Sequence, residues 1–392
     1  MVGFEGRVDY RMRIVGDLRE IGAARWDALV AAAHDGHLPA FLRHAFLDAL
    51  AGTGCVGGDT GWTPEILTLW QADRLAGAVP LYRKYHSYGE YVFDWAWADA
   101  YRRHGLRYYP KLLAAVPFTP VAGARLIADG DACREALAAA LLDHARQEQV
   151  SSLHVLFPRD ADARALASQG LTVRRGVQFH WHNAGYRSFE DFLAGLAQPK
   201  RKKIRAERRK VAQAGVGFRR LQGREISDAD WEFFSRCYEA TYAAHDSTPY
   251  LGREFFLSIG QTMPEHLLMI VAQVGERRVA ASLLVRDHDR LYGRYWGALE
   301  RIDCLHFETA YYQAIEAAID LGVAVIEGGA QGEHKMARGF LPVPTQSMHW
   351  LAEPAFADAV DRFLAREGGL VSAWLDELNE RSPFVGSAGQ RR

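Results

Sequence analysis

The two halves of the chain share apolar residues at a constant spacing, and this repeat limits the folds that the chain can adopt. Leu42 and Phe46 in the first half correspond to Leu251 and Phe255 in the second half, and 209 residues separate each pair. A tryptophan-bearing amphipathic segment precedes each of the two motifs. The shared order indicates an internal duplication, so each half is expected to form one copy of the same fold.

Each half predicts the same order of elements: strand, helix, helix, β-hairpin, strand, helix and strand. Elements in this order pack well as a mixed α/β sheet covered by helices. The predicted elements are helix 24–34, hairpin strands 66–70 and 75–82, strand 91–97, helix 133–147 and strand 153–157 in the first half, and helix 228–245, hairpin strands 267–273 and 279–285, strand 291–296, helix 307–321 and strand 323–326 in the second.

The chain is long enough for two domains, since it has 392 residues. The predicted domains are 1–185, which carries an insertion near 101–131, and 216–380. A basic helical connector, 186–215, joins them, and 381–392 is expected to be a flexible tail because it is rich in Gly, Ser and Arg. The predicted fold class is therefore α/β with mixed sheets, in two similar domains.

The composition is that of a soluble globular protein, with 49% hydrophobic residues, 24% charged residues and a net charge of −1. The whole chain therefore has no electrostatic bias toward nucleic acid or membrane. The first residues lack the apolar stretch of a signal peptide, and the apolar stretch 136–142 is too short to span a membrane. The cysteines are scattered without CxxC spacing, which is typical of a reducing compartment. We expect a cytoplasmic protein without a transmembrane segment or a metal site.

The stretch 327–340, EGGAQGEHKMARGF, is the strongest candidate site in the sequence. A β-type run at 323–326 ends in two glycines, and the titratable residues Glu333, His334, Lys335 and Arg338 follow. Glycines allow a positive φ and close approach of the backbone, and ligands often bind where strands end. The alternative interpretation is an ordinary strand-to-helix connection with a solvated polar helix.

A second candidate is the basic run 200–210, which has eight basic residues and one acidic residue. Pro199 suits the first turn of a helix and Gly215 suits its end. Such a helix can contact phosphate in a tRNA, a lipid pyrophosphate or an anionic membrane surface. The alternative is a solvated linker helix. The candidate polyanion-binding residues are Lys200, Arg201, Lys202, Lys203 and Arg205.

Polar and aromatic residues elsewhere are candidates for holding a substrate. In the predicted strand 91–97, Asp94 shares a face with Ala96 and Ala98. Asp94 is then either a ligand for a substrate amine or a hydrogen-bond partner in a tight turn, and Glu308 also suits the first turn of a helix. The candidate substrate-binding residues are Tyr88, Glu90, Asp94, Trp97, Arg294, Tyr295, His306, Glu308 and Gln331.

The chain resembles the tandem form of the GNAT acyltransferase fold, and in particular the FemAB-like proteins of peptidoglycan biosynthesis and recognition. The resemblance extends from about residue 11 to residue 365, and its motifs are HLPAFL at 37–42, SYGEYVFDW at 87–95, QFHW at 178–181 and the segment 328–340. It implies transfer of an acyl or aminoacyl group to an amine, such as that of a cell-wall precursor peptide. It also implies that the basic segment lies near a donor tRNA or a lipid-linked acceptor.

The resemblance implies a role for the residues of the strongest candidate site. A lysine of the family contacts the reacting carbonyl, and Lys335 or Arg338 fits this role here. Amide formation also requires a group that takes the amine proton, which Glu333 or His334 can do.

The identity of the donor is a separate question. GNAT enzymes that use acyl-CoA carry an R/Q-x-x-G-x-G/A loop that binds pyrophosphate. The matching stretch 299–306, LERIDCLH, has no glycine, and 103–107 is a poor match. We therefore expect aminoacyl-tRNA as the donor, with no tightly bound cofactor. The alternatives are an acyl-CoA-dependent N-acyltransferase acting on a small metabolite and a non-catalytic module that binds a polyanion or an envelope precursor.

Overall fold

The computed structural model describes residues 9–329 and 332–386, and within them the chain forms two compact units. The first unit contains the residues up to Arg175 together with Gln346–Gly368, and the second contains Gly176–Thr345 together with the residues from Gly369 onward. This division differs from the predicted domain boundaries, because 186–215 lies in the second unit and 346–368 in the first. No helix in these ranges is long and apolar enough to cross a membrane.

Most of the strands are short and are separated by tight turns. They are β1 (Arg11–Val15), β2 (Trp62–Pro64), β3 (Ile66–Gln71), β4 (Arg74–Val79), β5 (Leu81–Lys84), β6 (Lys111–Ala114), β7 (Ile127–Ala128), β8 (Ser152–Leu156), β9 (Thr172–His182), β10 (Val216–Gln222), β11 (Leu267–Val274), β12 (Arg277–Asp287), β13 (Arg290–Ala298), β14 (Val325–Glu327) and β15 (Leu341–Leu351).

The helices vary from a single turn to more than seven turns. They are α1 (Ala23–Ala32), α2 (His44–Gly52), α3 (Trp95–Arg103), α4 (Asp131–Gln147), α5 (Asp160–Ser168), α6 (Phe189–Gly195), α7 (Gln198–Gln213), α8 (Asp228–Ala243), α9 (Arg253–Thr262), α10 (Leu305–Phe307), α11 (Gln313–Asp320) and α12 (Pro354–Glu380). A π-helical turn, Glu308–Tyr312, joins α10 to α11, and a 3₁₀ helix, Glu333–Arg338, follows β14.

The first unit contains two sets of paired strands. An antiparallel sheet has the order β1-β3-β4-β7. In the other set, β2, β5 and β6 are antiparallel neighbours, β6 is parallel to β8, and 347–351 of β15 pair with β8. Helix α4 connects the parallel strands and buries Leu137 and Leu141 against them, because these residues are four apart and lie on one helical face.

The second unit has the antiparallel order β10-β11-β12-β13, and β13 is parallel to β14. The residues from α10 to α11 connect β13 to β14, and 180–182 of β9 pair with β14. The arrangement of parallel strand, helix and parallel strand therefore occurs once in each unit, as β6–α4–β8 and as β13–α10/α11–β14. The predicted α/β class with two GNAT-like copies is confirmed.

The predicted strand 91–97 is wrong. Asp94 directly precedes helix α3, so Asp94, Ala96 and Ala98 do not alternate on a strand. The aromatic content of this stretch suggested a strand, but Trp97 and Tyr101 lie four residues apart and bury one helical face in a shared apolar cluster. The counterpart of β13 is instead β6, which lies inside the predicted insertion 101–131.

The predicted basic helix is confirmed as α7. Pro199 lies in its first turn, and Ile204 and Val211 are buried on its inner face. Ser188 caps the start of the preceding helix α6, because its hydroxyl accepts a hydrogen bond from the backbone of Asp191 at 3.1 Å.

Candidate active site

A cavity opens in the second unit where β13 and β14 separate. The two strands pair only over Arg290–Tyr292 and Val325–Glu327. Beyond this pairing, Gly293 and Gly328 both line a cavity of about 110 Å³. Gly328 permits close packing, because a Cβ there would lie 3.3 Å from Phe340, and Gly329 has a φ of +80°.

Five of the eleven residues that line the cavity carry aromatic rings. His306 lies 5.1 Å from Trp296 and 5.4 Å from Tyr311 between ring centroids, and Tyr311 lies 5.5 Å from Phe340. Burial lowers the pKa of His306 to about 4, and the nearby cationic side chains reinforce this shift. The imidazole of His306 is therefore neutral at pH 7. Arg294 and Tyr295 also line the cavity.

Lys335 lies directly behind Gly328. Its ammonium donates hydrogen bonds to the carbonyl oxygens of Gly328 at 2.5 Å and Gly329 at 3.2 Å, and its stem packs over the Gly328 Cα. Burial lowers its pKa to about 8, and the charge of Arg294 adds to this effect. Lys335 thus fixes the two-glycine turn that forms the cavity wall, and these two contacts use two of its three ammonium hydrogens.

Arg338 is held in a buried cluster. It donates to the Glu207 carboxylate of α7 at 2.9 and 3.0 Å and to the backbone oxygen of His334 at 2.8 Å. The Tyr312 hydroxyl donates to the same carboxylate. The guanidinium carbon of Arg338 also lies 3.4 Å from the ring centroid of Phe307. Arg338 therefore links the 3₁₀ helix Glu333–Arg338 to the basic helix.

Glu333 and His334 are both exposed. Glu333 accepts hydrogen bonds from the indole of Trp374 at 3.0 Å and from Arg381 at 3.3 Å, so it binds the end of α12. The Nε2 atom of His334 lies 3.3 Å from the hydroxyl of Tyr311 in the cavity wall. The predicted candidate Gln331 lies outside the described residues.

Glu308 does not line the cavity. It pairs with Arg208 of α7 at 3.0 Å and accepts a hydrogen bond from Gln313 at 2.8 Å. It begins the π-helical turn Glu308–Tyr312, which contains Tyr311. Such turns often mark functional sites.

Comparison with known proteins places the chain in a family. A family model described as peptidoglycan biosynthesis/recognition, FemAB-like, matches residues 17–386. The chain belongs to the FemAB-like family. No curated protein sequence matches it.

Solved structures share the fold of this FemAB-like protein. The crystal structure of FemX superimposes with a TM-score of 0.54 at 10% identity, covering 90% of this chain and 100% of FemX. The structure of L-PGS from Bacillus licheniformis gives 0.50 at 10% identity, covering 86% and 96% of the two chains. A tandem GNAT protein from the clavulanic acid biosynthesis pathway gives 0.47 at 12% identity, covering 88% and 99%. At these identities, the likeness to FemX and L-PGS concerns the fold.

Two candidate residues in the first unit of the FemAB-like chain, Glu90 and Asp94, belong to a buried ionic cluster. The ammonium of Lys111 donates to Glu90 at 2.8 Å, to Asp94 at 2.5 Å and to Ser87 at 2.8 Å. Burial raises the pKa of Glu90 to about 7. Burial opposes ionisation of Asp94 as well, but the Lys111 ammonium holds the pKa of Asp94 well below its usual range. These contacts favour the interpretation of Asp94 as a hydrogen-bond partner within the fold, rather than as a ligand for a substrate amine.

The other two candidates in the first unit differ in exposure. Trp97 is buried, 5.0 Å from the ring of His349, whereas Tyr88 is exposed and lies 5.0 Å from Trp95. At the end of β8 in the first unit, the buried Arg125 donates to the carbonyl oxygen of Leu156.

The outer face of α7 in the FemAB-like protein is cationic. Lys202 and Lys203 are exposed, whereas Lys200 and Arg201 are half-buried. Arg205 is exposed but pairs with Glu190 at 2.6 Å. Two further exposed cations lie seven residues beyond the two exposed lysines, which places them on the same helical face. The exposed basic face therefore consists of Lys202, Lys203, Arg205, Arg209 and Lys210.

Proposed function

We propose that this protein is an acyltransferase that joins an acyl or aminoacyl group to an amine at the cavity between β13 and β14. The observation that carries the proposal is this opening, which Gly293 and Gly328 line, together with the Lys335 ammonium that donates to the Gly328 carbonyl oxygen. A neutral amine attacks the carbonyl carbon, and the developing oxyanion requires positive charge close by. Lys335 supplies that charge, because its pKa of about 8 keeps it mostly protonated at pH 7.

The family description supports a cell-wall precursor peptide as the amine-bearing acceptor. An aminoacyl-tRNA is the donor that fits the basic face of α7, because exposed cations at helical spacing bind a phosphate backbone. The Glu207–Arg338 pair connects this helix to the 3₁₀ helix that carries Lys335. In the reaction the new C–N bond forms, the ester C–O bond breaks, and the leaving 3′-oxygen takes a proton.

Transfer of a radiolabelled aminoacyl group from a mixed aminoacyl-tRNA pool to a precursor peptide with a free side-chain amine tests the proposal. Replacing Lys335 with Met is expected to lower kcat by about 10²- to 10³-fold, the usual effect of losing one oxyanion-stabilising group. Lys335→Arg retains the charge and serves as the conservative control. Equal turnover in the wild type and in Lys335→Met would contradict the catalytic role of Lys335. No turnover in the wild type with any donor would favour a module that only binds.

Donor binding is tested separately at the basic face. Replacing Lys202 and Lys203 with Met is expected to raise the KM for the tRNA donor and to flatten its salt dependence, with kcat unchanged. A thermal-shift measurement with coenzyme A tests the alternative donor, acyl-CoA, because a bound ligand stabilises the folded state. Clear stabilisation by coenzyme A, with no transfer from aminoacyl-tRNA, would replace the tRNA donor with an acyl-CoA.

A further inference from the structure

Tyr311 connects the buried cavity to an exposed residue. The π-helical turn Glu308–Tyr312 places the Tyr311 ring in the cavity wall, and the residue is 6% exposed. Its hydroxyl lies 3.3 Å from Nε2 of His334, a residue on the molecular surface. A single hydrogen bond therefore separates the cavity from a titratable group in contact with solvent.

The charges around His334 favour its neutral form. Lys335 and Arg338 lie on its own 3₁₀ helix, and His306 faces it from α10. Partial burial and the two cations lower the pKa of His334. Burial also raises the pKa of Tyr311 to about 12, so its hydroxyl is protonated at rest. The hydroxyl can thus donate to the unprotonated Nε2 atom.

We propose that Tyr311 and His334 form the route by which the attacking amine loses its proton from the cavity to solvent. This inference rests on the proposed acyl transfer. As the amine nitrogen bonds to the carbonyl carbon, its proton passes to the Tyr311 oxygen while the Tyr311 proton passes to Nε2 of His334. The imidazolium then releases a proton from Nδ1 to water, and the leaving oxygen takes a proton from water.

His306 also lines the cavity, but its surroundings suit this role less well. The contacts that the structure gives His306 are aromatic rings, namely those of Trp296, Phe307 and Tyr311. With a pKa of about 4, its imidazole is a weak base at pH 7. Tyr311, in contrast, has a hydrogen bond to an exposed, titratable partner.

The His334 tautomer tests the direction of the hydrogen bond without any substrate. The route requires the proton of neutral His334 on Nδ1, so that Nε2 accepts. A long-range ¹H–¹⁵N NMR spectrum, assigned with His334→Gln, is expected to show this tautomer in the wild type. In Tyr311→Phe, the His334 ring is expected to lose its preference for the tautomer with the proton on Nδ1. A wild-type ring that carries its proton on Nε2 would overturn the route, because Tyr311 would then be the acceptor.

Steady-state kinetics test the function of the pair. Tyr311→Phe and His334→Gln are each expected to lower kcat by about 10²-fold, the lower end of general acid–base effects, with little change in KM. The wild-type rate should fall as the pH drops through the lowered pKa of His334, and this limb should be absent in His334→Gln. Tyr186→Phe, which removes a hydroxyl from the same apolar cluster away from the cavity, is the matched control.

The outcomes separate the two proposals. If the wild type transfers no group from any donor, the proposed function fails. The His334 tautomer still shows, in that case, whether Tyr311 donates the hydrogen bond. If the wild type is active and both variants keep its kcat and its acid limb, the route is wrong while the function holds. Thermal denaturation of each variant shows whether a lost rate reflects unfolding.

Discussion

Removing the Lys111 ammonium should destabilise the first unit in a pH-dependent way. The side chain is fully buried and pairs with Glu90 at 2.8 Å and Asp94 at 2.5 Å. Lys111→Met leaves these carboxylates without their main partner, although Lys84 remains 3.9 Å from Glu90. Breaking a buried ion pair by deleting one member costs about 3–5 kcal/mol. We expect a loss of this size at pH 7.

The sign of the pH dependence follows from the carboxylates. In the wild type, the pKa of Asp94 is lower in the folded state than in the unfolded state, where it is about 4. Asp94 therefore contributes to folding stability above about pH 4, and this contribution is lost as the pH falls. In Lys111→Met, burial without the cation raises that pKa, so the folded state binds more protons than the unfolded state above pH 4. The difference between variant and wild type is therefore largest at pH 7 and smaller at pH 5.

Thermal unfolding followed by tryptophan fluorescence at both pH values measures this difference. For about 200 residues, 1 kcal/mol shifts Tm by about 2–4 °C, so a decrease of about 6–20 °C is expected at pH 7. Adding Asp94→Asn and Glu90→Gln should recover most of it, and the exposed Lys203→Met is the control. A decrease below about 3 °C, or an equal decrease at both pH values, would refute the buried-pair reasoning.

Three further predictions concern other buried groups. Glu207→Leu leaves Arg338 buried without its carboxylate and should cost about 3–5 kcal/mol in urea unfolding of the second unit; an unchanged midpoint would contradict this. Burial lowers the pKa of His154 to about 3, so its contribution to folding stability is complete above pH 6.5. Acidification from pH 7 to 5 should therefore cost about 2 kcal/mol of folding free energy. His154→Asn should reduce that loss, and an equal loss in the variant would argue against the role of His154. Gly328→Ala places a Cβ 3.3 Å from the Lys335 side chain. The loss of ligand-binding free energy, measured by calorimetry, should exceed the loss of folding free energy, measured from the decrease in Tm. Unchanged affinity would show that the cavity wall tolerates a methyl group.

Much of the fold was readable from local sequence. The hairpins, the basic helix and the strand that ends at two glycines follow from apolar periodicity and from glycine and proline positions. The stretch 91–97 was misread because its aromatic residues favour a strand, whereas the decisive contacts of Trp97 are with residues near 351 and 360. Such long-range packing leaves no local signal in a single sequence.

The role of the candidate site stays a prediction. The segment 333–338 does lie next to a cavity, but the partners of its charges are distant in sequence: Glu207 for Arg338 and Trp374 for Glu333. Tyr311 was missed because an aromatic residue in an apolar helix looks like a core residue. The π-helical turn that directs it toward the cavity has no clear sequence signature.

The first unit is built from two separate segments of the chain, and this has a consequence for its synthesis on the ribosome. Its residues up to Arg175 lack β15 and the start of α12 until Gly368 has been made. At about 5–20 residues per second, the 193 residues from 176 to 368 take about 10–40 s. Until 347–351 have been made, the β8 edge that pairs with them is unpaired. The nascent first unit thus exposes a template for strand addition, and a trans-acting chaperone has a defined window in which to protect it.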